Sequence, residues 1–277
     1  MEQNTFHRIV ITPGRSSINY WKDIIRYREL FYVLSWRDLK VRYKQTVIGV
    51  LWAFIRPLMT MAILAVVFGY FAKLPSTGTV PYPLLVLAGI LPWQFFANAT
   101  AESSQSLVDN QKLITKVYFP RIIIPLSATI TSFVDFTIAL GLFILMMFYY
   151  GVLPTWNMLF LPVFIILVFV LSFGFGSLLT ALNVKYRDFR YVLPFIIQIG
   201  LYLSPVGYST VIVPENVLWI YSFNPMVGVI EGFRWCLLGE GQISQTILLL
   251  SAALVILVAF LGINYFRKTE RYFADLI

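Results

Sequence analysis

FTIALGLFILMMFYYGVLPTWNMLFLPVFIILVFVLSFGFGSLLTALNV, residues 136–184, contains no Asp, Glu, Lys or Arg. A bilayer core about 30 Å thick takes roughly 20 apolar residues per helical span. This run is too long for one helix and too apolar for a soluble domain. GVLPTW at 151–156 supplies turn residues and divides it into two spans.

The rest of the chain has the same character. Of its 277 residues, 59% are hydrophobic and 12% charged, where soluble domains carry about 25% charge. Six spans are expected, at 47–71, 84–101, 122–149, 158–184, 191–208 and 243–266. The apolar piece at 217–230 is too short to cross and contains Asn224-Pro225. It reads as a re-entrant or interfacial hairpin. The expected fold is therefore an all-α integral membrane protein with six transmembrane helices.

Lys and Arg set orientation. Only Lys73 and Arg234 of the 21 basic residues fall on one set of loops; the others gather in the first 44 residues, at Arg56, in two loops and in the tail. Both termini are expected in the cytoplasm. The +8 net charge follows from this bias and needs no nucleic acid. The polar, basic N-terminus shows no cleavable signal, so the chain is expected to enter the membrane by its first span. A single cysteine, Cys236, excludes a disulfide within the chain, and the single histidine, His7, reads as a solvated residue.

YWKDIIRYRELFYVLSW at 20–36 places Trp21, Ile24, Tyr27, Phe31 and Leu34 at helical spacing, with Lys22, Arg26 and Glu29 on another face. This predicts an amphipathic helix lying in the cytoplasmic interface. RDLKVRYK at 37–44 then brings basic residues to the level of anionic head groups. It serves as a topology anchor, or it also contacts an anionic lipid-linked substrate.

Catalytic signals are poor. No G-x-x-x-x-G-K-[ST] loop occurs. The thirteen acids are scattered, without the clustered acids or nucleophile–base pair that a membrane transferase needs. Glu231 and Arg234 form an i,i+3 pair near the outer face. Asp135 falls near the middle of the third span, where a charge is costly. It either hydrogen-bonds Thr131 or a neighbouring helix, or lines a substrate path. GFGSLL at 174–179 and GVIEG at 228–232 read as helix-packing glycines. The chain has the features of a pathway whose energy source lies elsewhere.

KLITKVYFPRIIIP at 112–125 carries three cations and no anion between two apolar runs. Together with VIGVLWAFIRPLM (47–59), LLVLAGILPWQFFANA (84–99), LNVKYRDFRYVLPFIIQIGLYLSPVGY (182–208) and NPMVGVIEGFRWCLLG (224–239), it resembles the permease subunit of ABC-type polysaccharide exporters. These move O-antigen, capsule and teichoic acid, and the likeness is closest to the O-antigen group. It runs through about residues 20–270 in order.

The resemblance implies a homodimer in the bacterial inner membrane with two copies of a cytoplasmic ABC ATPase, which would bind ATP and Mg; this chain would hold no cofactor. It implies an N-terminal segment at 1–45, a six-span domain at 46–267 and a tail at 268–277. Within the domain it implies a coupling loop at 105–121, a second cytoplasmic loop at 185–190 and an outer re-entrant segment at 209–241. Lys112, Lys116, Val117, Tyr118 and Phe119 would dock on the ATPase as a short helix bounded by Pro120. Exposed aromatics on a basic loop fit a protein interface; a plain membrane-surface anchor is the other reading.

The implied substrate is a glycan on undecaprenyl diphosphate, moving among membrane lipids. Aromatic rings stack on sugars without reading one linkage, and Tyr43, Trp52, Tyr70, Trp93, Tyr149, Tyr202, Tyr208, Trp219 and Tyr221 are candidates to line the channel. Interfacial anchoring explains the same residues. Arg37, Arg42 and Arg56 are the candidate diphosphate ligands, because guanidinium suits bidentate phosphate contact. With Tyr43, Trp52 and Asp135 they make up the expected substrate path; Trp219, Tyr221, Glu231 and Arg234 make up the expected outer gate. Alternatives are an ABC-type permease for a drug or small lipid, a motor-free channel, or a membrane enzyme.

Overall fold

The computed structural model describes residues 20–44, 49, 51–73, 80–239 and 244–273. His7, the start of the first expected span, residues 240–241 of the outer segment and residues 274–277 of the tail lie outside the described residues. Every regular element among the described residues is helical.

Helices α1 (Tyr20–Arg26) and α2 (Arg28–Lys44) run on from one another. The Tyr27 and Phe31 amides donate to the Asp23 and Tyr27 carbonyls across the junction. Among the described residues five helices are long and apolar enough to cross a membrane: Leu51–Phe71, Tyr82–Asp109, Ile123–Tyr149, Trp156–Lys185 and Gln245–Tyr272. The first comprises α3 (Leu51–Leu64) and a π-helical stretch, Ala65–Phe71. The next two contain α4 (Tyr82–Asp109), followed by the single turn α5 (Gln111–Ile114), and α6 (Ile123–Tyr149). The others contain α7 (Leu161–Lys185) and, last in the chain, α11 (Gln245–Thr269).

Between α7 and α11 lie three shorter helices: α8 (Phe189–Leu203), α9 (Glu215–Tyr221) and α10 (Pro225–Leu238). At 15 residues α8 spans about 22 Å, short of a full bilayer core. α9 and α10 meet at Asn224, whose side chain caps α10 by accepting from the Met226 amide at 3.0 Å, with Pro225 at the first helical position.

α4 is the axis of the bundle, with 72% of its apolar window buried. It packs antiparallel to α6: Phe95 lies 5.4 Å from Phe136, and Ser103 lies 3.1 Å from Thr129. α7 covers another face. Thr180 donates to the Ser103 carbonyl at 2.7 Å and Asn183 to the Ser104 carbonyl at 2.8 Å. Such hydrogen bonds matter where water cannot replace them. The α7 glycines do the close packing. A Cβ on Gly176 would stand 2.9 Å from Ser103 Cβ, and one on Gly262 of α11 would stand 2.1 Å from the Gly174 carbonyl oxygen.

α4 is longer than the expected second span. Its last turns, with the sequence AESSQSLVD, continue to Asp109 because Ser103, Ser104 and Ser106 are buried and hydrogen-bonded within the bundle. The expected face of the N-terminal helix also shifts. Tyr20, Ile24, Tyr27, Leu30, Phe31 and Leu34 pack on a second hydrophobic cluster at the basic end of the bundle. Trp21, placed on that face by the sequence pattern, points away and is exposed.

Candidate functional site

A cleft of about 280 Å³ opens where the end of α2 meets α3, α4 and α6. Arg42, Tyr43, Trp52, Arg56 and Asp135 all line it. The fold therefore brings together five of the six residues expected in the substrate path. Leu91, Phe95, Phe136 and Ala139 form its apolar back wall.

The charged centre is a fork. Arg42 Nη2 reaches Glu102 Oε1 at 2.5 Å, and Nη1 reaches Asp135 Oδ2 at 2.5 Å. Tyr43 donates its hydroxyl to Asp135, and Ser132 donates to Glu102 at 2.8 Å. Burial opposes the Arg42 charge, but Glu102 and then Asp135 outweigh it and hold its pKa above the ordinary value. Burial, then the hydrogen bond to Asp135, raises the Tyr43 phenol well above its usual range, so it stays a donor at neutral pH.

The arrangement separates the candidate arginines. Arg42 has a structural role, because its two terminal nitrogens are paired with carboxylates. Arg37 lies outside the cleft; it binds Asp38 at 2.7 Å and Asn110 at 2.9 Å, tying α2 to the end of α4. Of its two expected partners, Thr131 or a neighbouring helix, Asp135 takes the second, bonding Arg42 and Tyr43 of α2, while the Thr131 hydroxyl donates to the Ser127 carbonyl. Glu102, absent from the expected set, supplies the second carboxylate. Its only sequence signal is an acid one helical turn past Asn98, which lines the same cleft.

Arg56 is different. It lines the cleft from α3, is exposed, and pairs with no carboxylate among the described residues. Pro57 follows it inside the helix and removes one backbone donor. Trp52, one turn earlier and 44% exposed, stands on the same wall. The two carboxylates outnumber Arg42, and Arg56 restores charge balance. With Arg56 counted the charged lining sums to zero, and Arg56 and the Trp52 indole are the groups left to contact a ligand; a guanidinium beside an aromatic face suits a phosphate joined to an apolar or sugar group.

At the basic end, Lys112, Lys116, Val117 and Tyr118 are exposed, Tyr118 at 65%. Phe119 is only 3% exposed. It is buried with Leu34, Leu107, Ile114, Phe266 and Phe273, so it anchors the loop from beneath. The expected short helix shrinks to the single turn α5, and residues 115–120 are irregular.

At the opposite end, Trp219 is exposed and stacks edge-on against Phe223. Tyr221 donates to Tyr208 at 3.1 Å, and Tyr208 donates to the Tyr202 carbonyl at 3.0 Å. Glu231 and Arg234 do not face outward. Arg234, 2% exposed, donates to the carbonyls of Leu85, Val206 and Tyr208 and to Glu231. Glu231 also accepts from the Thr210 amide at 3.1 Å. The pair staples α10 to the start of α4 and to the 206–210 segment, because a buried guanidinium needs its donors satisfied.

Helices long and apolar enough to cross a membrane, with a charged cleft among them, are the layout of a helical membrane protein. The chain belongs to the ABC-2 type transporter family, which it matches over residues 29–238. It is similar to the O-antigen export system permease protein RfbA of Klebsiella pneumoniae, with 29% identity over 251 residues, 90% of this chain and 95% of the relative. The RfbA permease of Myxococcus xanthus is 25% identical over 260 residues, covering 92% and 98% of the two chains. The polysialic acid transport protein KpsM of Escherichia coli is 25% identical over 240 residues, covering 84% and 91%.

Proposed function

We propose that this chain is the channel-forming permease subunit of an ATP-driven polysaccharide exporter, with O-antigen-type glycan as its substrate class. The observation that carries the reading is the near full-length likeness to permeases named for O-antigen export. The cleft supports it, since an unpaired Arg56 beside Trp52 suits a diphosphate-linked glycan at the mouth of a path.

In this reading the chain crosses the bacterial inner membrane six times, with α8 as the fifth crossing and both termini in the cytoplasm. The helix pair α1–α2 lies at the cytoplasmic interface, and α9–α10 form a re-entrant hairpin on the outer side. Residues 1–45 and 268–277 flank the 46–267 membrane domain. Two copies assemble around the glycan path with two ABC ATPase subunits, which hold ATP and Mg and do the hydrolysis. The loop carrying Lys112, Lys116, Val117 and Tyr118 docks on the ATPase. Trp219 and Tyr221 lie at the outer gate, with Glu231 and Arg234 holding its frame.

The test is deletion of the chain from its host, with surface glycan and membrane-bound lipid-linked glycan measured together. Export predicts loss at the surface and accumulation inside, both reversed by restoring the chain. Unchanged surface glycan overturns the reading. Loss of efflux of a drug or small lipid, with surface glycan intact, assigns the chain to that other cargo.

A further inference from the structure

Glu270 is a junction of three chain segments far apart in sequence. Its Oε2 accepts from the Tyr20 hydroxyl of α1 at 2.9 Å. Its Oε1 accepts from the Arg121 amide at 2.6 Å, in the loop ahead of α6. The Arg121 guanidinium donates back to the Glu270 carbonyl at 2.5 Å. That carbonyl lies just past the end of α11, where helix carbonyls have no partner within the helix. Arg267, one turn earlier, lies 4.7 Å from the centre of the Tyr20 ring. Burial, then the Glu270 charge, keeps the Tyr20 phenol protonated well above its ordinary range.

The loop is fixed from below as well. Phe119 is buried with Phe266 of α11 and with Phe273, whose rings pack edge-on at 5.2 Å. Pro120 is buried and fixes its own backbone torsion. Residues 119–121 are therefore held to the end of α11, while Val117 and Tyr118 are left exposed immediately before them.

We infer that Glu270 is a positioning residue for transport. It makes the docking loop, α1 and the end of α11 one mechanical unit, so a displacement of Tyr118 by the ATPase is passed to the last span and to the N-terminal helix. This rests on the proposed docking of the loop on an ATPase. Neither the position of Glu270 in the sequence nor the family match assigns it this role. A carboxylate suits it, because two oxygens accept from two segments at once, and charge-assisted hydrogen bonds are the stronger kind.

The test uses the full complex of this chain with its ATPase. Glu270→Ala leaves Val117 and Tyr118 untouched, so complex recovery and ATP hydrolysis are expected to persist. Glycan exported per ATP hydrolysed is expected to fall at least tenfold, since the variant removes two charge-assisted hydrogen bonds, each worth about that factor. Tyr20→Phe removes one hydroxyl with little loss of packing; it is expected to fall less, and it decides the matter if Glu270→Ala does not accumulate. An unchanged ratio in Tyr20→Phe and in any Glu270→Ala complex obtained overturns the inference. So does a parallel fall of export and hydrolysis at constant ratio. If the unmodified chain neither recovers an ATPase nor supports glycan export, the proposed function fails and not the clasp.

Discussion

Arg42 and Asp135, 93 positions apart, meet through a 2.5 Å Nη1–Oδ2 contact that ties the helix ahead of the first span to α6. With Glu102 on the other edge of the guanidinium, one cation holds three helices together. Both carboxylates are part-buried, so removing the cation leaves them facing one another. Arg42→Ala is expected to destabilise the purified protein by about 1–3 kcal/mol, between the worth of surface and buried pairs. The double variant with Asp135→Asn should recover part of that loss, because one unpaired charge is gone. Thermal unfolding in detergent measures both, and strictly additive losses would show that the contact carries no coupling energy.

Arg56 separates a ligand from an anchor. Both Arg and Lys snorkel, so Arg56→Lys is silent for an anchor. If the planar fork holds a phosphate, Arg56→Lys lowers export roughly tenfold and Arg56→Gln lowers it further. Surface glycan at equal protein level is the measurement. Full export by both variants would remove Arg56 from the substrate path.

Neighbouring residues of the docking loop should behave oppositely. Val117→Ser with Tyr118→Ser, both on exposed side chains, is expected to leave thermal stability within about 0.5 kcal/mol and to lower ATPase recovery. Phe119→Ala empties a buried ring site and should cost about 3–5 kcal/mol. Co-purification and unfolding temperature together give the contrast. Equal ATPase recovery from the Val117/Tyr118 variant and the unmodified chain would place docking elsewhere.

Arg234 tests the staple at the far end. Lys offers a point charge with no planar fork, so it cannot reach Leu85, Val206, Tyr208 and Glu231 together. Arg234→Lys is expected to cost about 1–3 kcal/mol, since buried acceptors lose their donors. Hydrogen exchange should rise first in the 206–210 segment. Unaltered exchange there would show that the segment is held by other contacts.

Part of this was legible in the sequence. Apolar runs of span length locate the five described helices that are long and apolar enough to cross, because the bilayer dimension acts on composition directly. Asp135 stands out because a charge amid apolar residues has to be answered. Its partners do not stand out. Arg42 sits in a basic stretch that orientation alone explains, and Glu102 sits in what reads as the polar end of a span. The inward turn of Phe119 is hidden for a related reason. Its burial depends on Phe266 and Phe273 at the end of the last span, and local periodicity holds no record of contacts across that distance. The i,i+3 spacing pairs Glu231 with Arg234, while their burial depends on the backbone carbonyls of two other segments.

The window at Leu51–Phe71 has only 11% of its residues buried within the chain. A helix so lightly held by its own chain turns most of its surface outward, to lipid or to another chain. Trp52 and Arg56 ride on it, so one wall of the cleft is braced from outside the chain while the other walls belong to the packed core around α4.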